Sequence, residues 1–219
     1  MHSTIENLIN IENKIKLNLK EIERPNKPKI IAVSKTFPMD KILPLINHGH
    51  IDFGENKVQE AVNKWTDIKI KNPNIRLHMI GKLQTNKVKF AIKLFDFIHS
   101  VDSSKLAKKI ADEQKKIDKD IKVFLQVNIG NESQKSGISK FELNDLILYC
   151  RDLNLSLMGL MCIPPEDNNR SFYFKEMNNL NNQFRFSELS MGMSSDYLQA
   201  IQNSATYLRI GSSIFGNRY

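Results

Sequence analysis

Ile30-Ile31-Ala32-Val33-Ser34-Lys35-Thr36 sets four apolar, mostly β-branched residues against three polar ones, and a helical pattern over 39–47 follows. A run this short and this continuously apolar reads as a strand buried on both faces. Working outward, the same unit recurs. Further apolar runs stand at 51–53, 76–80, 97–101, 121–128, 156–161, 187–191 and 206–210. Helical patterns fill the gaps at 55–70, 83–94, 103–117, 140–153, 170–184 and 195–202. Ser139, with Glu142 three residues on, is a capping-box pattern for the helix over 140–153. Strands alternating with helices imply a parallel sheet, and eight strands at this length fit a small (β/α)8 TIM barrel. The competing architecture is an open doubly wound sheet. It usually has about five or six strands, and no G-x-G-x-x-G follows the first strand here. Residues 1–23 form an extra amphipathic helix, with Ile5, Leu8, Ile9, Ile15 and Leu19 near helical spacing, and Pro25 and Pro28 end it. The expectation is one domain over 1–219, with 1–24 packed on the barrel.

The chain has 219 residues, 41% hydrophobic and 26% charged, which is the composition of an ordinary globular protein. The net charge of +8 comes mostly from lysine, since only seven of the 32 basic residues are arginine. The lysines are spread along the chain with no recognition motif, which argues against a nucleic-acid partner. Codon bias towards Lys, Asn and Ile accounts for much of the charge. No apolar run approaches the roughly 20 residues of a membrane span, and the N-terminus lacks a signal-peptide core. The reading is therefore a cytoplasmic protein with no membrane partner. Cys150 and Cys162 read as free buried thiols. The histidines His2, His48, His50, His78 and His99 lack the spacing of a zinc site, so no metal is expected. His48 and His50 flank a glycine ahead of the second strand and belong at the far end of the barrel.

Chemistry in such a barrel sits at the C-terminal strand ends, and the unusual residues collect there. Strand one ends in Ser34-Lys35-Thr36, strand two leads into Gly54-Glu55-Asn56, and strand three carries His78 and ends at Gly81. Strand seven runs into Ser190-Met191-Gly192-Met193-Ser194-Ser195, and strand eight into Arg209-Ile210-Gly211-Ser212-Ser213. The loops after strands seven and eight often bind phosphate in this fold. Glycines admit an anion to backbone N–H groups, and the serines add hydroxyl donors. For one segment alone, turns and caps would be explanation enough. A lysine entering the barrel mouth is costly unless paired, neutralised or modified, and lysine is the residue that forms a Schiff base with an aldehyde. A solvated surface lysine is the plainer alternative. Lysine beside a phosphate cup points to a phosphorylated aldehyde, with pyridoxal phosphate the obvious candidate. Arg209 would then sit across that cofactor and disfavour protonation of its ring nitrogen. A surface or ion-paired arginine is the alternative there.

These residues fall into a familiar pattern: 31–36 (IAVSKT), 53–56 (FGEN), 78–87 (HMIGKLQTNK), 126–129 (QVNI), 135–137 (KSG), 158–161 (MGLM), 189–194 (LSMGMS) and 209–216 (RIGSSIFG). Together, in this order up to Arg218, they resemble the pyridoxal phosphate homeostasis protein (YggS/PROSC) family. The resemblance implies a barrel like the N-terminal domain of alanine racemase, and pyridoxal 5'-phosphate held as an aldimine on Lys35. It implies phosphate contacts from Ser190, Met191 and Ser194 and from Gly211 and Ser212, Arg209 at the pyridine nitrogen, and Asn56 and His78 lining the site. It further implies no catalysis. The protein would act as a monomer that buffers the cofactor and delivers it to apo-enzymes that use it. This chain departs from the pattern in three places. Phe37 stands where a second lysine is frequent, Ser212 stands where threonine is commoner, and the chain stops at Tyr219 without a basic tail. Lys135 matches the Lys-Ser-Gly motif and is expected to be a second, weaker cofactor contact.

Two enzymatic readings compete. A racemase needs a second acid–base group on the opposite face of the cofactor, and the barrel uses up nearly all of these residues. A Schiff-base aldolase would carry its lysine on a later strand, where none stands out.

Overall fold

The computed structural model describes residues 1–167 and 169–216. Arg218 and Tyr219, named above at the end of the motif pattern, lie outside the described residues. Eight parallel strands close into a barrel in chain order. They are β1 Lys29–Val33, β2 Asp52–Glu55, β3 Arg76–Met79, β4 Phe97–Val101, β5 Lys122–Gln126, β6 Ser156–Met161, β7 Glu188–Ser190 and β8 Tyr207–Ile210. β1 closes the ring on β8, with Ile31 opposite Arg209 and Ala32 opposite Ile210. The helices are α1 Ser3–Glu21, α2 Met39–Asn47, α3 Val58–Lys71, α4 Val88–Leu94, α5 Ser104–Lys116, α6 Leu143–Asp152, α7 Arg170–Gln183, α8 Tyr197–Gln202 and α9 Ser212–Phe215.

Each apolar run read from the sequence is a strand, and the helical patterns differ from the structure mainly at their starts. The helix expected over 55–70 begins only at Val58. Glu55 stays in β2 because one carboxylate oxygen accepts bonds from Ser34 Oγ (2.8 Å), Lys64 Nζ (3.0 Å) and Trp65 Nε1 (2.9 Å). The pattern over 83–94 splits into a 3-10 turn, Thr85–Lys87, and α4. Ser139 and Glu142 do bond reciprocally, but they close a turn ahead of α6, which starts at Leu143. α9 has no counterpart in the sequence reading. Its four residues are too few to show a period.

Two apolar layers result. The larger lies between strands and helices and includes Trp65, Phe95 and Phe174, all fully buried. The smaller fills the barrel and consists of Ile31, Phe97, Phe124, Met161 and Tyr207. Because side chains alternate along a strand, this inner cluster sets the parity of every strand it touches. Val33 and Lys35 follow Ile31 on the inward face, and Arg209 follows Tyr207.

α1 packs on α2, α8 and α9. It buries Leu8, Ile11, Ile15 and Leu19 on one stripe. Each such side chain contributes about 1.5–3 kcal/mol of transfer free energy before chain entropy is subtracted. Arg24 then fastens the chain to the end of α8 by donating to the carbonyls of Ile201 and Ala205, both at 3.0 Å. Among the described residues no helix is long and apolar enough to cross a membrane. Cys150 and Cys162 are free and buried, and burial pushes both thiols up to about 12.

Candidate functional site

At the C-terminal mouth of the barrel a cavity of about 390 Å³ is lined by residues from six strand ends. Lys35, Asn56, Ser194, Arg209, Gly211 and Ser212 all line it. Lys35 is half-buried one residue beyond Ser34, and Thr36 turns the chain with a left-handed φ of 66°. The backbone under Lys35 is held from the helix layer, where Lys64 Nζ donates to the carbonyl of Ser34 at 2.9 Å and to Glu55 at 3.0 Å. Phe37, at the departure from the family pattern, is buried and stacks on Phe215 of α9, with centroids 4.9 Å apart. This side of the lip is therefore apolar.

Asn56 reaches the mouth because Gly81 lets the two loops touch. A Cβ on Gly81 would lie 2.3 Å from the Asn56 carbonyl oxygen. Asn56 Oδ1 is buried without a hydrogen-bond partner. Opposite, the loops after β7 and β8 are joined by Ser194 Oγ, which accepts from Gly211 N (3.3 Å) and Ser213 N (3.2 Å). Two backbone N–H groups converging on one oxygen make an anion-binding geometry. Gly192 makes the preceding turn at φ 92°, where a Cβ would meet Ala200 Cβ at 2.6 Å. Asp196, 4% exposed, pins the same loop by accepting from Met193 N at 2.6 Å.

Arg209 is the most unusual group in the cavity. It is 4% exposed, and it donates only to neutral oxygens, Ser190 Oγ at 2.7 Å and the Cys162 carbonyl at 2.8 Å. Burial lowers its guanidinium from the ordinary value, yet arginine remains a cation and can only donate. Among the described residues no carboxylate lies within ion-pair distance of it.

A sequence profile described as "Alanine racemase, N-terminal domain" matches residues 7–218. The "Pyridoxal phosphate homeostasis protein" of Pasteurella multocida is 38% identical over 228 residues, covering 98% of each chain. The chain belongs to the pyridoxal phosphate homeostasis protein family. PipY of Synechococcus elongatus, solved with PLP bound, superposes with a TM-score of 0.79 at 32% identity, covering 92% of this chain and 100% of PipY. An alanine racemase from Clostridium difficile shares the fold at a TM-score of 0.69 and 15% identity, covering 94% of this chain and 57% of the racemase.

Three residues that the family resemblance placed in contact with the cofactor do not line the cavity. His78 is fully buried and bonded to Asp52 and His99. Its parity is inward, but it lies one layer below the mouth, where Ile80 takes the lining position. Ser190 lies at the same depth under Arg209, and Met191, at the opposite parity, packs in the helix layer. The second lysine, Lys135, donates to the Pro164 carbonyl at 3.0 Å and pairs with Glu132 at 2.7 Å. It lines a neighbouring cavity of about 310 Å³ that shares Ile80, Gly81 and Ile163 with the first. Sequence reasoning missed Ile80 and Ile163 as lining residues. Only inward parity at the strand ends distinguishes them from core.

Proposed function

We propose that this chain binds pyridoxal 5'-phosphate at the barrel mouth, linked reversibly through Lys35 Nζ, and holds it for delivery rather than for catalysis. The reading is carried by one observation: Lys35, an anion-binding pair of N–H groups and a buried arginine with neutral partners meet in a single cavity. When bound, the cofactor supplies an aldehyde that condenses with an amine with loss of water, and a ring that withdraws electrons. The residues present fit it. Asn56 offers its buried, unpartnered Oδ1. Ser194, Gly211, Ser212 and Ser213 offer phosphate donors. Arg209, lining the cavity, would offer N–H to the ring nitrogen, and a donor there would keep that nitrogen unprotonated. An unprotonated ring is a weak electron sink, which suits storage. His78 and Ser190 support this arrangement from below, and Met191 from the helix layer. The names of the relatives and the PLP-bound PipY structure support the same reading. On it the protein is a cytoplasmic monomer whose clients are apo forms of pyridoxal-phosphate enzymes. Free buried thiols suit a reducing compartment.

Borohydride treatment of the cofactor-loaded protein, followed by peptide mass mapping, tests it. The expected result is one phosphopyridoxyl adduct on Lys35 and none in Lys35→Ala. A reducible adduct of equal yield in Lys35→Ala overturns the assignment. Because alanine racemase shares this fold, α-deuterium exchange into L-alanine is the second arm. No exchange above the free cofactor is expected, and exchange at enzyme-like rates would establish a racemase-like enzyme instead.

A further inference from the structure

The inside of a barrel is an expensive place for polar groups, and each one buried there must find a partner. Five such groups stand on inward positions here, each no more than 5% exposed: Asp52, His78, His99, Ser190 and Arg209. They form one unbranched path. Arg209 Nη1 lies 2.7 Å from Ser190 Oγ, Ser190 Oγ lies 2.9 Å from His99 Nδ1, and His99 Nε2 lies 3.0 Å from His78 Nδ1. His78 Nε2 lies 2.9 Å from Asp52 Oδ1, and Asp52 is paired at the barrel floor with Arg76. We propose that Ser190, His99, His78 and Asp52 form a one-way hydrogen-bond relay that positions Arg209 from below and locks both imidazoles as neutral Nε2–H tautomers.

The direction follows from the two ends independently. Arginine only donates, so Ser190 Oγ accepts and turns its own hydrogen to His99 Nδ1. That makes His99 Nε2 the donor to His78 Nδ1. From the floor, an ionised Asp52 only accepts, so His78 Nε2 carries a hydrogen and His78 Nδ1 is the acceptor. Both derivations give the same two tautomers. Reversing the path would face an unprotonated His78 Nε2 towards the carboxylate. A doubly protonated His78 would add a buried cation beside Arg76, which already neutralises Asp52 through Nε at 2.7 Å and Nη2 at 2.5 Å.

Stacking holds the plane of each ring, and the bonds at both nitrogens select which way round it sits. His78 lies on Phe97 with centroids 4.3 Å apart and planes 12° from parallel, and His99 lies on Phe124 at 4.3 Å and 17°. Tyr207 flanks both rings at 5.9 Å. Burial pushes both imidazoles down, and the neighbouring His78 and Arg209 push His99 further in the same direction. Ser190 Oγ thus accepts from Nη1 and donates to His99, which fixes the guanidinium from below, and the N–H groups not bonded to Ser190 or the Cys162 carbonyl are left for the cavity. These are positioning residues. The inference rests on the proposed cofactor site only for what Arg209 faces.

Histidine 15N NMR on the full chain without cofactor tests it, with His99→Gln and His78→Gln used for assignment. His78 and His99 should each show a protonated Nε2 and a bare Nδ1, unchanged between pH 5.5 and 8. A protonated Nδ1 on either ring, or titration of either within that range, overturns the relay. Ser190→Ala should shift the ring resonances of both histidines, and movement of neither contradicts the coupling. Cofactor-loaded His99→Phe should displace the absorption band, and His99→Gln, which keeps a donor towards His78, should restore it. Equal bands in His99→Phe and wild type would remove the positioning role. The NMR measurement can fail while trapping at Lys35 succeeds, so the two claims separate.

Discussion

The helix layer and the barrel interior solve burial in opposite ways. Between strands and helices the core is large and almost wholly apolar, and its main charged group, Glu55, is paired with Lys64 and clasped by Trp65. Inside the barrel, five apolar side chains share the space with a chain of polar groups that each have one or two defined partners. Stability is spread over many contacts in the first region. In the second, the positions of particular hydrogens hold a cation at the mouth. Perturbing the helix layer should therefore cost stability without changing the site, and perturbing the interior should change pH dependence and binding.

The largest expected effect belongs to the helix layer. Phe174→Ala should cost about 3–5 kcal/mol and lower Tm by roughly 6–20 °C, read by thermal unfolding. Folded variant should retain the absorption band of bound cofactor. A changed band at modest cost would break the division between the layers. Next comes the pH dependence of the interior. His78 and His99 are depressed by burial, so the unfolded chain takes up protons that the folded one refuses. Their stabilisation is complete above the unfolded value of about 6.5. It falls as pH drops below that, by up to about 1.4 kcal/mol per pH unit for each ring. Burial of Asp52 opposes its ionisation, but the bonds from His78 and Arg76 win and hold it below its ordinary value. Its contribution is thus lost only under stronger acid, as pH falls below about 4. Denaturant unfolding at pH 7, 6 and 5 should show the slope, and His99→Gln should reduce it by about one proton.

Arg209→Met sharpens the comparison from the other side. Loss of a charge-assisted bond of about 1.5–3 kcal/mol should weaken cofactor binding by about 10–100-fold. Tm should move by only a few degrees, because an uncompensated buried charge goes with it. The smallest effect is at the phosphate loops. Ser194→Ala removes the acceptor joining Gly211 N and Ser213 N and should weaken binding about tenfold, read by titration of the absorbance band.

The barrel was legible because strand length and alternation are local. All eight runs are strands in the order read, and the inward position of Lys35 follows from Ile31 by parity alone. The interior relay was not legible. Ser190 and His99 stand 91 positions apart in the chain and meet only because β4 and β7 face each other across the closed barrel. His78 is placed at the site by the family resemblance alone, and the barrel seats it a layer deeper, bonded to Asp52 and His99. Glu55 looked like a helix start because its partners, Ser34, Lys64 and Trp65, come from two other elements.

The central claim is that Lys35, Arg209 and the Ser194–Gly211 contact bind one molecule between them. A crystal structure of the protein soaked with pyridoxal 5'-phosphate tests it most directly. The account predicts density continuous from Lys35 Nζ, with the ring nitrogen within hydrogen-bond distance of Arg209 and the phosphate against Ser194, Gly211 and Ser213. Cofactor density confined to the cavity beside Lys135, or lying with its ring nitrogen away from Arg209, would contradict it.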